Sequence, residues 1–302
     1  MAGYNTNQIL AATPAVLSLA SAGQIDLAQS ADIASNVVSG FGLAAEDTTR
    51  VIDVLAATAT STNTTVATLG ESFKEIAPTA NNLKIPIEEV AAAVGLLGNS
   101  GIKGTDATTV LNSALNRLAK PTKEMSNKMQ QLNVDFFDAN GQFIGITGTV
   151  DMLNKAMVGL TDEQKANAVS TIFGARANKQ MTSLLLGQTT AMIDGKEQTL
   201  KGADALRSLT AEYENAEGAA AKMAEIQEDS VAGAYKLLNS AIEEYILGTN
   251  DAVGFSDKLK EAMKFLAENI NVILGTIGKL IKAFVTYKTV LFALKMKDRI
   301  SE

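Results

Sequence analysis

The sequence predicts an all-α protein, and three observations carry that expectation. Ala, Leu, Ile, Val and Thr dominate the composition, and only four prolines are spread over 302 residues. Apolar residues recur at three- and four-residue steps, with no long strand-like alternation. Capping residues and glycine stops punctuate these runs at helical lengths. The length allows one large domain or two small ones, with a real core either way. The organisation expected is a compact multi-helix domain over residues 1–200 with one small β-hairpin, a long coiled-coil-like helix over 201–250, and an amphipathic to apolar helical segment over 255–302.

Residues 6–22 read as helix with a break, because Thr13 and Pro14 suit an N-cap followed by a first helical position. Gly23 ends it. Residues 26–39 carry Leu27, Ile33, Val37 and Val38 at helical spacing and close at Gly40-Phe41-Gly42. Residues 44–59 form the next helix, with Val51, Val54 and Leu55 inward and Glu46, Asp47 and Arg50 outward. Thr60 to Thr65 is a polar turn, in which Thr64 or Thr65 caps a helix bearing Val66, Leu69, Phe73 and Ile76. Pro78 should kink or stop that helix. Pro86 opens another, with Ile87, Val90, Val94 and Leu97 as its buried stripe. It ends at Gly98, where the loop Gly98-Asn99-Ser100-Gly101-Ile102-Lys103-Gly104 reverses the chain. Thr105 or Asp106 then caps a helix to Lys120, which Pro121 stops. The flanking helices are expected to pack onto this hairpin of two helices.

A short helix with Met125, Met129 and Leu132 follows. Val134, Phe136 and Ile144 flank Asp138-Ala139-Asn140-Gly141, a β-hairpin signal because Asn and Gly tolerate positive φ. Such a ribbon is marginal alone, so its phenylalanines should lean on helices. Residues 149–158 are helical. Thr161-Asp162-Glu163-Gln164 is a capping box opening a helix with Ala168, Val169 and Ile172 that ends at Gly174. Residues 175–186 form the next helix, closed by Gly187.

From Leu206 the apolar positions Leu206, Leu209, Tyr213, Ala216, Ala220 and Met223 step by three and four, a heptad seam. Val231, Tyr235, Leu238, Ile242 and Tyr245 resume it after a phase shift. This is one long helix to about Leu247, and its stripe either packs on its own domain or self-associates. A loop over 248–255 and a short amphipathic helix over 257–268 follow. Residues 269–296 are the most apolar part, but Lys279, Lys282 and Lys288 interrupt them, whereas a membrane span needs about 20 mostly apolar residues. Packing on partner helices is the first expectation there, membrane contact the second.

Composition excludes more than it suggests. There is no Cys and no His, so disulfides, thiolate chemistry, imidazole bases and the commonest metal ligands are all missing. A net charge of −7 and an isoelectric point near 4.9 oppose direct nucleic-acid binding. In the glycine loop Lys103 precedes Gly104 and a helix precedes the loop, against the phosphate-loop order. Aligning Gly141 with the glycine of a calcium loop puts Phe136 and Thr147 where carboxylates belong. Glu88-Glu89 and Glu243-Glu244 read as solvated surface pairs, and the ten methionines as core filler. No catalytic, cofactor-binding or metal residue is expected.

Several stretches together resemble the core of phage tail tape measure proteins: "QILAATPAVLSLASAGQIDLAQSADIASNVVSGFGL", "EDTTRVIDVLAATA", "LGESFKEIAPTA", "IEEVAAAVGLLGNSGIKGTDATTVLNSALNRLAKPTKEM", "VDFFDANGQF" and "TIFGARA". They span most of residues 5–180 in the family's order. The resemblance implies a structural, non-enzymatic helical protein of the tail-tube lumen of a long-tailed bacteriophage. Such a protein templates tube assembly and length, and leaves with the DNA at infection. It implies as partners other copies of the chain, tail tube, tail tip and assembly chaperone proteins, with host membrane as a further contact and host cytoplasm as the place of assembly. Because the family core begins upstream and full tape measures are longer, a fragment is expected, with apolar faces uncovered near residues 5–25 that favour association or partial disorder. The rivals are a membrane-active protein acting through residues 269–296 and an enzyme using carboxylates or Lys.

Overall fold

The computed structural model describes residues 4–193 and 196–228, and its compact unit spans Met1–Glu225. The described residues form twelve α-helices and one two-stranded antiparallel sheet, so the class is all-α with a small β element. The readings on Val231 to Tyr245, Glu243-Glu244 and residues 248–296 lie outside the described residues.

The first four helices form a close group: α1 (Thr6–Gly23), α2 (Leu27–Gly40), α3 (Thr48–Ser61, entered through a 3-10 turn at Ala45–Asp47) and α4 (Val66–Asn82). Asn5, Asp26 and Thr65 cap α1, α2 and α4 through side-chain oxygens. The expected break at Pro14 is absent, and Pro78 does not stop its helix. α1 runs through Pro14 and α4 through Pro78. Each proline forfeits one helical hydrogen bond, but its neighbours are buried: Ala12 and Val16 around one, Ala77, Thr79 and Ala80 around the other. Packing on both sides of the proline holds the helix together. Phe41 and Phe73 meet edge to face at 5.9 Å between α2 and α4.

α5 (Ile87–Asn99) occupies the centre. Every residue from Ile87 to Gly98 is buried, not only the expected stripe. Ala91, Ala92, Ala93, Gly95 and Gly98 keep it thin, so α3, α4, α8, α10 and α11 all approach it. The loop after α5 turns as expected, with positive φ at Gly101 and Gly104. Neither Thr105 nor Asp106 is the cap: α6 (Thr105–Ala119) starts from Gly104 without a side-chain cap. α6 touches α5 to the same small extent as α4 does, and it packs chiefly on α4. Thr79 donates to Asn112 Oδ1 across that contact, and Asn116 donates to Thr79 Oγ1 at 3.2 Å.

α7 (Lys123–Leu132) ends at Asn133 in the left-handed region. The Asp138–Gly141 turn then forms as expected. Asp138 Oδ1 accepts from the amides of Asn140 at 2.9 Å and Gln142 at 2.8 Å. Its pairing is reduced to one bridge, Phe137 with Phe143, and Phe136 turns inward to lie 6.0 Å from Phe173. α8 (Gly145–Ala156) starts four residues before the expected helix at 149. The Thr161 capping box opens α9 (Asp162–Phe173), and a 3-10 turn leads to α10 (Asn178–Leu186).

The two-stranded sheet lies elsewhere than predicted: β1 (Gln188–Ile193) pairs antiparallel with β2 (Lys196–Lys201). Asp194-Gly195 joins them in the sequence, a hairpin dipeptide passed over in favour of Asn140-Gly141.

The described residues after 200 form two helices, and the compact unit runs on to Glu225. α11 (Gly202–Glu214) lies along α5 and contacts α3 and α8, with Leu206, Leu209 and Tyr213 in the core. The helix then breaks at Asn215, and α12 (Ala219–Glu228) starts after Gly218 at φ +79°. Leu206, Leu209, Tyr213, Ala216 and Ala220 therefore serve their own unit. A heptad spacing records only that one face is apolar, and here α5, itself buried all round, is the partner.

Tyr213 shows how firmly α11 belongs. It is 1% exposed, and its hydroxyl lies 2.9 Å from Ser61 Oγ. Burial pushes its phenol up from 10.0 to about 12. Tyr213→Ala should cost about 3–5 kcal/mol, and Tyr213→Phe about 0.5–1.5 kcal/mol, in urea unfolding. The raised phenol makes stability complete below the unfolded value of 10.0, with loss as pH climbs toward 12. Tyr213→Phe should remove that part of the alkaline loss.

Candidate functional site

Four buried polar side chains were not foreseen, and each fastens helices. The Glu88-Glu89 pair is not solvated: the two residues are 3% and 9% exposed. Both sit in the first turn of α5, where the helix dipole favours negative charge. Glu88 takes a two-pronged grip from Arg50 of α3, Nε to Oε1 at 2.8 Å and Nη2 to Oε2 at 3.0 Å. Glu89 faces the first turn of α8, where the Thr147 amide donates to its Oε1 at 2.8 Å. It supplies the cap that α8 lacks in its own sequence. Gly145 makes this possible. Its φ is +83°, and a Cβ there would stand 2.8 Å from both Glu89 oxygens.

Asp53 of α3 is 5% exposed and accepts from the amides of Gly218 and Ala220, each at 3.0 Å. Gln180 of α10 donates to the Asp106 carbonyl at 3.0 Å, while its Oε1 has no partner. At the surface Asp151 of α8 accepts from Lys155 at 2.9 Å and pairs with Arg207 of α11 at 2.9 Å. The Lys155 hydrogen bond, with the Arg207 charge behind it, holds the Asp151 carboxyl below its usual range.

Each of these groups joins one helix to another or to a neighbouring turn. The carboxylates of Asp53, Glu88 and Glu89 are occupied by backbone amides or by a guanidinium. Among the described residues no group of three or more Asp or Glu side chains is placed to hold a metal ion. The glycine loop uses Lys103 to reach Asn63 Oδ1 at 2.7 Å. The Asp138 carboxylate is spent inside its own turn. The described surface has two shallow depressions of note. One is lined by residues including Asn99, Thr182 and Ser183, the other by Val134, Ile144, Met152 and Lys155.

The apolar face expected near residues 5–25 is present, on a formed helix. α1 carries no charged side chain and exposes Ile9, Leu10 and Leu17. Among the described residues no single helix is long and apolar enough to cross a membrane. α1 and α2 pass by length and composition only as a pair bent by 116°.

Three predictions test the fasteners. Glu89→Ala should cost about 1–3 kcal/mol by uncapping α8. Gly145→Ala should cost more in the wild type than in the Glu89→Ala background, because the carboxylate it strikes is then gone. Denaturant unfolding of the four variants in that cycle measures both. Asp151 should stabilise the fold above its usual value of 3.8, with loss as pH falls below that. The melting-temperature gap between wild type and Asp151→Asn should therefore shrink from about pH 7 to about pH 3.

Comparison with known proteins places this arrangement. A family model described as phage-related minor tail protein matches residues 1–174. The tape measure protein of Pneumococcus phage Dp-1 is 33% identical over 284 residues, 94% of this chain and 22% of that protein. The probable tape measure protein of Escherichia phage P2 is 28% identical over 244 residues, 80% of this chain and 28% of that protein. The chain thus spans roughly a quarter of the length of these relatives. No solved structure matches it. With a family model covering more than half its length, the chain belongs to the phage-related minor tail proteins.

Proposed function

We propose that this chain is the core portion of a tape measure protein, the tail component that templates tube assembly and length and leaves the tube with the DNA at infection. The alignment of 94% of the chain with the Dp-1 tape measure protein carries the reading. The architecture supports it: the buried carboxylates lock helices together, and no His or Cys is present for chemistry. In this reading the protein is not an enzyme. It works in the tail-tube lumen of the virion, after assembly in the host cytoplasm. Its partners are tail tube, tail tip and chaperone proteins and other copies of itself. With a net charge of −7 it does not bind nucleic acid directly.

The compact unit has its own part in this. A helix rises about 1.5 Å per residue, so helices laid end to end convert residue count into length. Residues folded into a bundle are not laid along an axis and do not count in that way. The compact unit is therefore the piece that other tail proteins grip, and measurement falls to extended helical parts of the longer protein.

This is tested by deleting α5 in frame from the phage gene and viewing tails by electron microscopy. Loss of its 13 residues from a ruler would shorten tails by about 20 Å. The expected result is that tails are absent, because α5 is the centre of the unit. Tails of normal length would overturn the assignment, whereas tails shortened by that amount would keep the tape measure reading and overturn the gripping role given to the compact unit.

A further inference from the structure

α12 is held to the rest of the compact unit chiefly through its first turn. Its inward residues are small: Ala216 just before it, then Ala220 and Ala224, are buried. Beyond these, Met223 packs partly against the core, and its sulfur accepts from Thr60 Oγ1 at 3.4 Å. Three methyl groups and a half-buried thioether remove little apolar surface from water. The strong contact is polar. Asp53 reaches out of the core and takes the Gly218 amide on Oδ2 and the Ala220 amide on Oδ1. Those amides belong to the cap and second position of α12, two of the donors a helix start cannot satisfy internally. Charge-assisted bonds of this kind, in a site only 5% exposed, are the stronger class of hydrogen bond.

The preceding residues suit a pivot. α11 ends at Glu214, and residues 215–218 form a turn that finishes at Gly218, with φ +79° and open space around its α-carbon. α11 itself stays anchored by Leu206, Leu209 and Tyr213, all of them in the core.

We propose that Asp53 is a latch. Its two hydrogen bonds keep the start of α12 docked, and their release lets residues 219–225 swing on the 215–218 turn while α1 to α11 stay folded. The latch is independent of the tail reading, since it stands on this geometry alone. It makes α12 the lowest-energy opening of the compact unit and gives the fold a defined point at which the chain can peel away.

Hydrogen–deuterium exchange with mass spectrometry on the full chain tests this. In Asp53→Asn one oxygen becomes an amide that cannot accept. Peptides covering residues 218–225 should then exchange about ten-fold faster or more, while α5 and α11 keep their wild-type rates. Unchanged exchange over 218–225 would overturn the proposal, and so would equal acceleration in α5 and α11. Gly218→Ala covers the case in which Asp53→Asn does not fold. No atom lies within 4 Å of the added methyl, so only the left-handed start of α12 is strained. It too should speed exchange over 218–225 alone, and either no change there or a rise across the core would refute the latch.

Discussion

A helix that shows no face to water must be surrounded, and α5 sets that condition for the whole compact unit. Its residues from Val90 to Gly98 read Val-Ala-Ala-Ala-Val-Gly-Leu-Leu-Gly, without a polar side chain on any side. In water such a segment would expose apolar surface all round. The remedy is a ring of neighbours, and α3, α4, α8, α10 and α11 provide it. Alanines and glycines decide how close that ring can come. At Gly95 an added Cβ would already stand 2.8 Å from Thr62 Cγ2. The Tyr213 side chain closes the ring on one side and finds Ser61 for its hydroxyl.

The same condition creates the electrostatics of the unit. Two glutamates open α5, where the helix dipole favours them, but full burial of the helix takes them out of water too. Buried charge is tolerated only with partners of good geometry. Glu88 has Arg50, whose guanidinium reaches in from a half-exposed position. Glu89 has the free amides at the start of α8, which needed an acceptor in any case. One solution thus meets two needs: the carboxylate loses its isolation and the helix end gains its cap. Asp53 repeats the arrangement for α12. Acidic side chains of this kind are committed to holding helices in place, which suits a protein whose family role is in tail structure.

Much of the fold was legible from residue pattern, and the misreadings share a cause. The Thr65 cap, the Thr161 capping box and the Asp138–Gly141 turn formed as read, because each rests on a few neighbouring residues. Pro14 was read as the first position of a second helix and Pro78 as a kink or stop, because a proline suits a helix start and weakens a helix interior. Burial on both sides outweighed that local loss. The ribbon was assigned to Asn140-Gly141, whose flanking Phe136 is drawn into the core beside Phe173, leaving a single bridge. Asp194-Gly195, flanked by Thr, Ile and Leu, was the equally readable signal that marks the true sheet. The burial of Glu88 and Glu89 could have been read as well, since the nine residues after them leave no solvated face.

By itself the sequence determined the helical class, most helix limits, the turns, and the kinship with phage tail proteins. All of these depend on residue type and short spacing, which survive without knowledge of distant contacts. Tertiary structure alone decided which face meets which. It brought α11 back onto α5 and the start of α12 onto α3 instead of leaving them as a free seam, gave α8 a cap from 58 residues away, and set Asp53 against Gly218 across 165 positions. The reason is physical: an apolar stripe or a buried carboxylate records the need for a partner, and only the packed chain supplies one.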